Sequence, residues 1–175
     1  AAPCPRTILA GDAVSGVTLF RMTKGMDAGP IFSQREAPVL AGDTSETLEA
    51  RLSREAAALL SEALPRLEAG DIALREQDAG AVTFAPKLAK HDGAVPWQLD
   101  AAAVLRHVRA MQPWPRAYAF LRSPGRPPLR VNVIEAAAID GPAAPPGTVV
   151  AVREDCVDVA CAAGALRVMT CNAHS

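Results

Sequence analysis

Asp27 is the residue whose neighbours best suit it for chemistry. It lies in Met26-Asp27-Ala28-Gly29-Pro30, bracketed by Gly25 and Gly29, between two apolar runs. Those runs, Val17 to Met22 and Ile31 to Val39, read as short strands on either side of a loop. A carboxylate at a strand end between glycines suits a site, because glycine permits tight turns and close approach of backbone to a ligand. Spacing alone leaves a blander reading open, since aspartate is a common turn residue. The basic candidates are Lys87 and Lys90 in a stretch with little periodicity, and Arg106 and Arg109 three apart on a helical pattern. Such groups can meet a phosphate backbone, and they can equally be a solvated face. No metal site is expected. Cys4, Cys156, Cys161 and Cys171 lack the paired spacing of zinc sites, and His107 has no second ligand at metal spacing.

These residues need elements to carry them. Pro3 to Gly11 should turn into a short helix closed by Gly11. Asp43, with Glu46 three residues on, resembles a capping box opening a longer helix. Leu48, Leu52, Leu59 and Leu67 give that helix an apolar stripe, Pro65 should kink or split it, and Gly70 should end it. Residues 71 to 96 contain Gly80, Pro86, Gly93 and Pro96 and read as a linker, with one short strand at Val82 to Phe84. Leu99 to Met111 should be an amphipathic helix presenting Val104, Leu105 and Val108. Pro113-Trp114-Pro115 ends it rigidly, its tryptophan seating the helix on a sheet.

From Ala117 the period becomes that of strands. Ala117–Leu121, Leu129–Ile134, Thr148–Val152, Val157–Cys161 and Ala165–Met169 make about five, separated by turn residues. Five short antiparallel strands suggest a small OB-type barrel. The strands offer no exposed aromatics for base stacking, so contact with RNA would be by shape and phosphate.

Half of the 175 residues are hydrophobic, enough for a core. No apolar run is long enough to span a membrane, and no export signal opens the chain. A cytoplasmic location with reduced thiols is therefore expected. Residues 1 to 80 carry a net charge of −4 and residues 81 to 175 one of +3, so a second half that touches an anion is expected.

Gly16-Val17-Thr18 with Gly25-Met26-Asp27-Ala28-Gly29-Pro30 resembles the loop shared by folate-dependent formyltransferases. Ala1-Ala2-Pro3, Ile8-Leu9-Ala10-Gly11-Asp12, Asp43-Thr44-Ser45, Phe84-Ala85-Pro86-Lys87-Leu88 and Arg109-Ala110-Met111-Gln112-Pro113-Trp114-Pro115 follow in that family's order and spacing. The ordered set resembles the branch acting on methionyl-tRNA and runs to about Val168. It implies an α/β fold: the rear of a doubly wound domain over 1–80, a linker over 81–97, and an OB-like barrel over 98–175. It implies transfer of a formyl group from 10-formyltetrahydrofolate to the α-amine of methionyl-initiator tRNA, without a metal, by a protein monomeric at full length. Asp27 would be the catalytic aspartate, while Met22, Gly25, Met26, Asp27 and Gly29 would line the folate pocket. Lys87, Lys90, Arg106 and Arg109 would face tRNA. The family's Asn-x-His would fall upstream of Ala1, so the chain reads as a fragment expected to be inactive alone. The Asn172-Ala173-His174 near the end is read as unrelated to catalysis. Two other readings remain: the same transfer to a nucleotide-linked amino sugar, and a non-catalytic tRNA-binding module.

Overall fold

The computed structural model describes residues 2 to 173 and is a mixed α/β structure with two antiparallel sheets. Helix α1 (Pro3–Ala10) starts with proline at its first turn and ends at Gly11, whose φ of 77° closes it. Strands β1 (Val14–Phe20) and β2 (Ile31–Pro38) form an antiparallel hairpin. β1 begins three residues before the expected Val17. Gly16 pairs with Glu36 inside the strand, and only glycine fits there because a Cβ would meet the Arg35 carbonyl oxygen at 2.6 Å. The expected doubly wound arrangement is not seen among the described residues, where this hairpin stands as a two-stranded sheet.

Helix α2 (Ser45–Glu68) is capped by Thr44 and Thr47, whose side chains bond each other's backbone N–H groups. The expected capping pair, Asp43 and Glu46, does not form. Asp43 turns inward, accepting from the Leu40 N–H at 2.7 Å and the Thr47 hydroxyl at 2.9 Å and pairing with Arg51. Burial alone would raise the Asp43 carboxyl, but these donors outweigh it and hold its pKa below the usual value. Pro65 lies inside α2, which continues past it to Glu68. Leu48 and Leu59 are buried as expected, whereas Leu67 is exposed beside Leu60 and Leu64. Arg35 ties α2 to β2 through Glu62 at 2.6 Å and Glu55 at 3.5 Å.

Residues 71 to 96 are more engaged than a free linker. Arg75 and Ile31 exchange backbone hydrogen bonds of 2.7 and 2.9 Å, and the Ala2 N–H donates to the Ala85 carbonyl. The strand expected at Val82 to Phe84 is absent. A single helical turn, Ala79–Ala81, precedes it, and Phe84 is exposed.

Helix α3 (Ala101–Ala110) is capped by Asp100, which accepts from the Ala103 N–H. It packs on α1 and on the second sheet. Val104, Val108 and Ala110 join one buried cluster with Ile8, Leu48 and Leu166. His107 is buried too, and burial lowers its pKa. Trp114 is half exposed and so does not act as the buried seat expected of it.

The second sheet has β3 (Ala117–Leu121), β4 (Leu129–Ile139), β5 (Val149–Val152), β6 (Val157–Ala160) and β7 (Ala165–Ala173), in the order β3-β4-β7-β6-β5. All its ladders are antiparallel, and register shifts bend β4 against β7. This corrects the OB-like barrel: among the described residues no ladder joins β3 to β5. A groove lined by Trp97, Tyr118, Phe120, Arg122 and Thr148 lies there instead. Aromatics are also less hidden than expected, since Phe120 is 54% exposed at the edge of Tyr118 and Arg130 stacks on the Tyr118 ring. Of Asn172-Ala173-His174, Asn172 lies in β7 and bonds to Asn132, while His174 lies outside the described residues.

Two stability predictions follow from this packing. Leu48 is fully buried, so Leu48→Ala should cost about 2–5 kcal/mol in urea unfolding, whereas Leu60→Ala at the exposed face should cost less than about 1 kcal/mol. Asp158 is clamped by Arg167 at 2.8 Å and Arg153 at 3.1 Å. The bonds from Arg167, with help from Arg153, overcome burial and lower its pKa from 3.8 to about 2. A depressed folded-state pKa supplies stability above the unfolded value and loses it on acidification. Unfolding midpoints measured from pH 5 to pH 2 should therefore fall below about pH 4 in the parent, with a shallower acid limb in Asp158→Asn.

Candidate active site

The loop between β1 and β2 starts where their register shifts at Leu19 and Phe20. Its neck is closed by the Arg21 N–H donating to the Pro30 carbonyl at 2.9 Å. Gly29 makes that closure possible. A Cβ at this position would lie 1.7 Å from the Arg21 carbonyl oxygen, far inside contact distance. Gly29 and Pro30 are buried at the neck, whereas residues 21 to 28 are exposed. Met22 and Met26 are 87% and 92% exposed, a costly arrangement for two apolar side chains in a short loop.

Asp27 sits at the tip with φ of 51°, in the left-handed region that aspartate tolerates better than most residues. Its side chain is exposed and makes no hydrogen bond or ion pair among the described residues, so the carboxylate is available to a ligand. Its backbone is not free. The Gln77 side-chain amide donates to the Asp27 carbonyl at 2.8 Å and to the Gly29 carbonyl at 2.7 Å. Gln77 is delivered by the Arg75–Ile31 backbone pair and by Arg75 donating to the Gln34 side chain at 3.1 Å. Gln34 in turn donates to the Thr18 hydroxyl across the hairpin.

The loop therefore carries Met22, Gly25, Met26, Asp27 and Gly29 in one short segment, with exposed residues from Met22 to Ala28 around one carboxylate. Gln77 was missed by the sequence reading. It lies between Glu76 and Asp78 in a stretch without periodicity, and nothing local signals a bond to residues some fifty positions earlier.

The basic residues divide in two. Lys87 and Lys90 are exposed, and Lys87 lines a depression with Cys4, Glu49, Leu88 and Trp114. Arg106 and Arg109 are half-buried and turn toward the front of the chain. The Arg106 guanidinium packs against Gly11, and Arg109 donates to the Ala41 carbonyl. Burial lowers the Arg109 pKa, and the nearby charge of Arg106 lowers it further. This pair anchors α3 while keeping two like charges together. Among the described residues, no group of three or more His, Cys, Asp and Glu side chains could hold a metal ion, and no helix is long and apolar enough to cross a membrane.

Two family models match this chain: formyl transferase over residues 1–64 and formyl transferase, C-terminal domain over residues 87–174. It is 40% identical over 170 residues to the methionyl-tRNA formyltransferase of Methylococcus capsulatus, covering 97% of this chain and 53% of that protein. It is 42% identical over 171 residues to that of Stenotrophomonas maltophilia, covering 95% and 53%. The chain thus spans about half the length of these relatives. Among solved structures it resembles HypX from Aquifex aeolicus in complex with tetrahydrofolic acid, at a TM-score of 0.72 and 23% identity over 100% of this chain and 30% of that one. It also resembles a Helicobacter canadensis N-formyltransferase in complex with folinic acid and dTDP-3-aminofucose, at 0.74 and 14% over 98% and 61%. These last two likenesses speak to the fold. The two matched models, one over the hairpin and its loop and the other over α3 and the second sheet, together with the identity to these relatives, show that the chain belongs to the formyl transferase family.

Proposed function

We propose that the full-length product containing this chain transfers a formyl group from 10-formyltetrahydrofolate to the α-amine of methionyl-initiator tRNA. The observation that carries this reading is 36–42% identity, over at least 95% of the chain, to bacterial proteins named methionyl-tRNA formyltransferase. The matched stretch spans the Asp27 loop as well as the basic residues. In this reading residues 1–80 complete the catalytic domain, residues 81–97 link the domains, and residues 98–175 form the tRNA-side domain.

The reaction forms a bond from the acceptor nitrogen to the formyl carbon and breaks the bond from that carbon to the folate nitrogen. The proton leaving the amine ends on the folate nitrogen. Asp27 serves that relay as an uncommitted carboxylate, holding a water and the histidine expected upstream. The exposed backbone groups of Met22 to Asp27 suit the donor's ring system, which presents hydrogen-bonding edges and can cover Met22 and Met26. Lys87 and Lys90 offer exposed cations to the tRNA backbone. Arg106 and Arg109 add positive field from a half-buried position.

The test offers the full-length protein 10-formyltetrahydrofolate with methionyl-initiator tRNA and, separately, with a dTDP-linked amino sugar. Formylation of the tRNA alone is expected. Asp27→Asn, which keeps a residue tolerant of positive φ, should lower kcat about 10²–10⁴-fold with the circular dichroism spectrum unchanged. Formylation of the sugar instead would overturn the acceptor, and undiminished transfer by Asp27→Asn would overturn the role of Asp27. Tight, salt-sensitive tRNA binding without any transfer would mark a binding module. Gly29→Ala should abolish transfer as well, because its methyl group cannot share space with the Arg21 carbonyl.

A further inference from the structure

An exposed loop has few means of holding a catalytic group still. Residues 21 to 28 are exposed, so burial does not fix them, and the Asp27 backbone occupies a sparsely populated region. Among the described residues, Gln77 is the one side chain from outside the loop that hydrogen-bonds to it. An amide NH₂ carries two N–H donors. Both are spent here, one on the Asp27 carbonyl and one on the Gly29 carbonyl, so the main chain is gripped on either side of Ala28.

We propose that Gln77 is a positioning residue for formyl transfer, fixing the Asp27 carboxylate by clamping the loop backbone; this rests on the reading of Asp27 given above. The chemistry at this position is selective. Glutamate is the same size but brings oxygens toward two carbonyl oxygens, and methionine matches the length without any donor. Asparagine is one methylene shorter. The clamp is also anchored independently of the loop, since the Arg75–Ile31 pair and the Arg75–Gln34 bond hold residue 77 beside β2. Residues 71 to 78 thus carry a support for the site from the end of α2, instead of merely leading to the next domain.

Gln77→Met and Gln77→Glu are to be assayed in the full-length protein, with Asp27→Asn and the double variant Asp27→Asn/Gln77→Met. A displacement of about an ångström at a reacting group costs up to about 100-fold. Both single Gln77 variants should therefore lose about 10–100-fold in kcat, with KM for tRNA within about threefold and the urea midpoint unchanged. Amide hydrogen exchange over residues 22–28 should quicken in both. If Gln77 acts through Asp27, adding Gln77→Met to Asp27→Asn should lower kcat by less than about twofold more. Parental kcat in Gln77→Met beside a depressed kcat in Asp27→Asn would overturn the positioning role alone. Losses that multiply in the double variant would do the same. Parental kcat in Asp27→Asn would remove the reading on which the proposal stands, and the proposal with it.

Discussion

Burial of α3 on two sides is the constraint on which the rest of the structure depends. The helix is ten residues long, too short to be stable by itself in water, so packing must hold it. Val104, Val108 and Ala110 are at most 1% exposed and share one cluster with Ile8 and Leu48 in front and Leu166 behind. Polar bonds fix its rotation. Ser45 donates to the Ala110 carbonyl at 2.7 Å in a buried setting, and Arg109 reaches the Ala41 carbonyl. The hairpin that carries Asp27 and the five-stranded sheet hardly meet directly, and α3 with α1 and α2 transmits the position of one to the other.

From that core outward, control passes from apolar packing to hydrogen bonds. α2 lies against β1 and β2, partly through the Arg35 pairs with Glu55 and Glu62. Exposed pairs of this kind contribute little energy, so they orient more than they stabilise. The loop beyond the hairpin has no core of its own. Its shape comes from the Arg21–Pro30 closure, the space that Gly29 leaves and the amide of Gln77. A loop built this way leaves the Asp27 carboxylate facing solvent.

Much of this was legible in the sequence where a local rule had no competitor. Gly11 closed its helix, α3 fell within Leu99 to Met111, and the five later strands began within one residue of where period two placed them, although β4 and β7 run on to Ile139 and Ala173. Legibility failed where a partner distant in the chain decided the outcome. Asp43 looked like a cap but was drawn inward by Arg51, leaving Thr44 to cap α2. Leu67 had the right period, yet period says which face is apolar and not how far the covering element extends. Five strands of suitable length suggested a barrel, although closure depends on a β3–β5 ladder that strand patterns cannot specify. The site divides in the same way. The glycines around Asp27 were visible because they answer local sterics, whereas Gln77 was invisible because its partners lie some fifty residues earlier.

The remaining tension is between exposure and order. Met22 and Met26 lose the stabilisation that burial would give, and Asp27 carries a strained backbone, so the loop works against folding. Hydrogen bonds from one amide can hold such a loop because their acceptors are backbone carbonyls, whose positions set the direction of the Asp27 side chain. The apolar faces of the methionines then remain available for a flat ligand to cover. In the proposed reading, folding and donor binding draw on the same surface at different times. Gln77 fastens the loop through the Asp27 and Gly29 carbonyls, which leaves the Asp27 carboxylate and both methionine side chains uncovered.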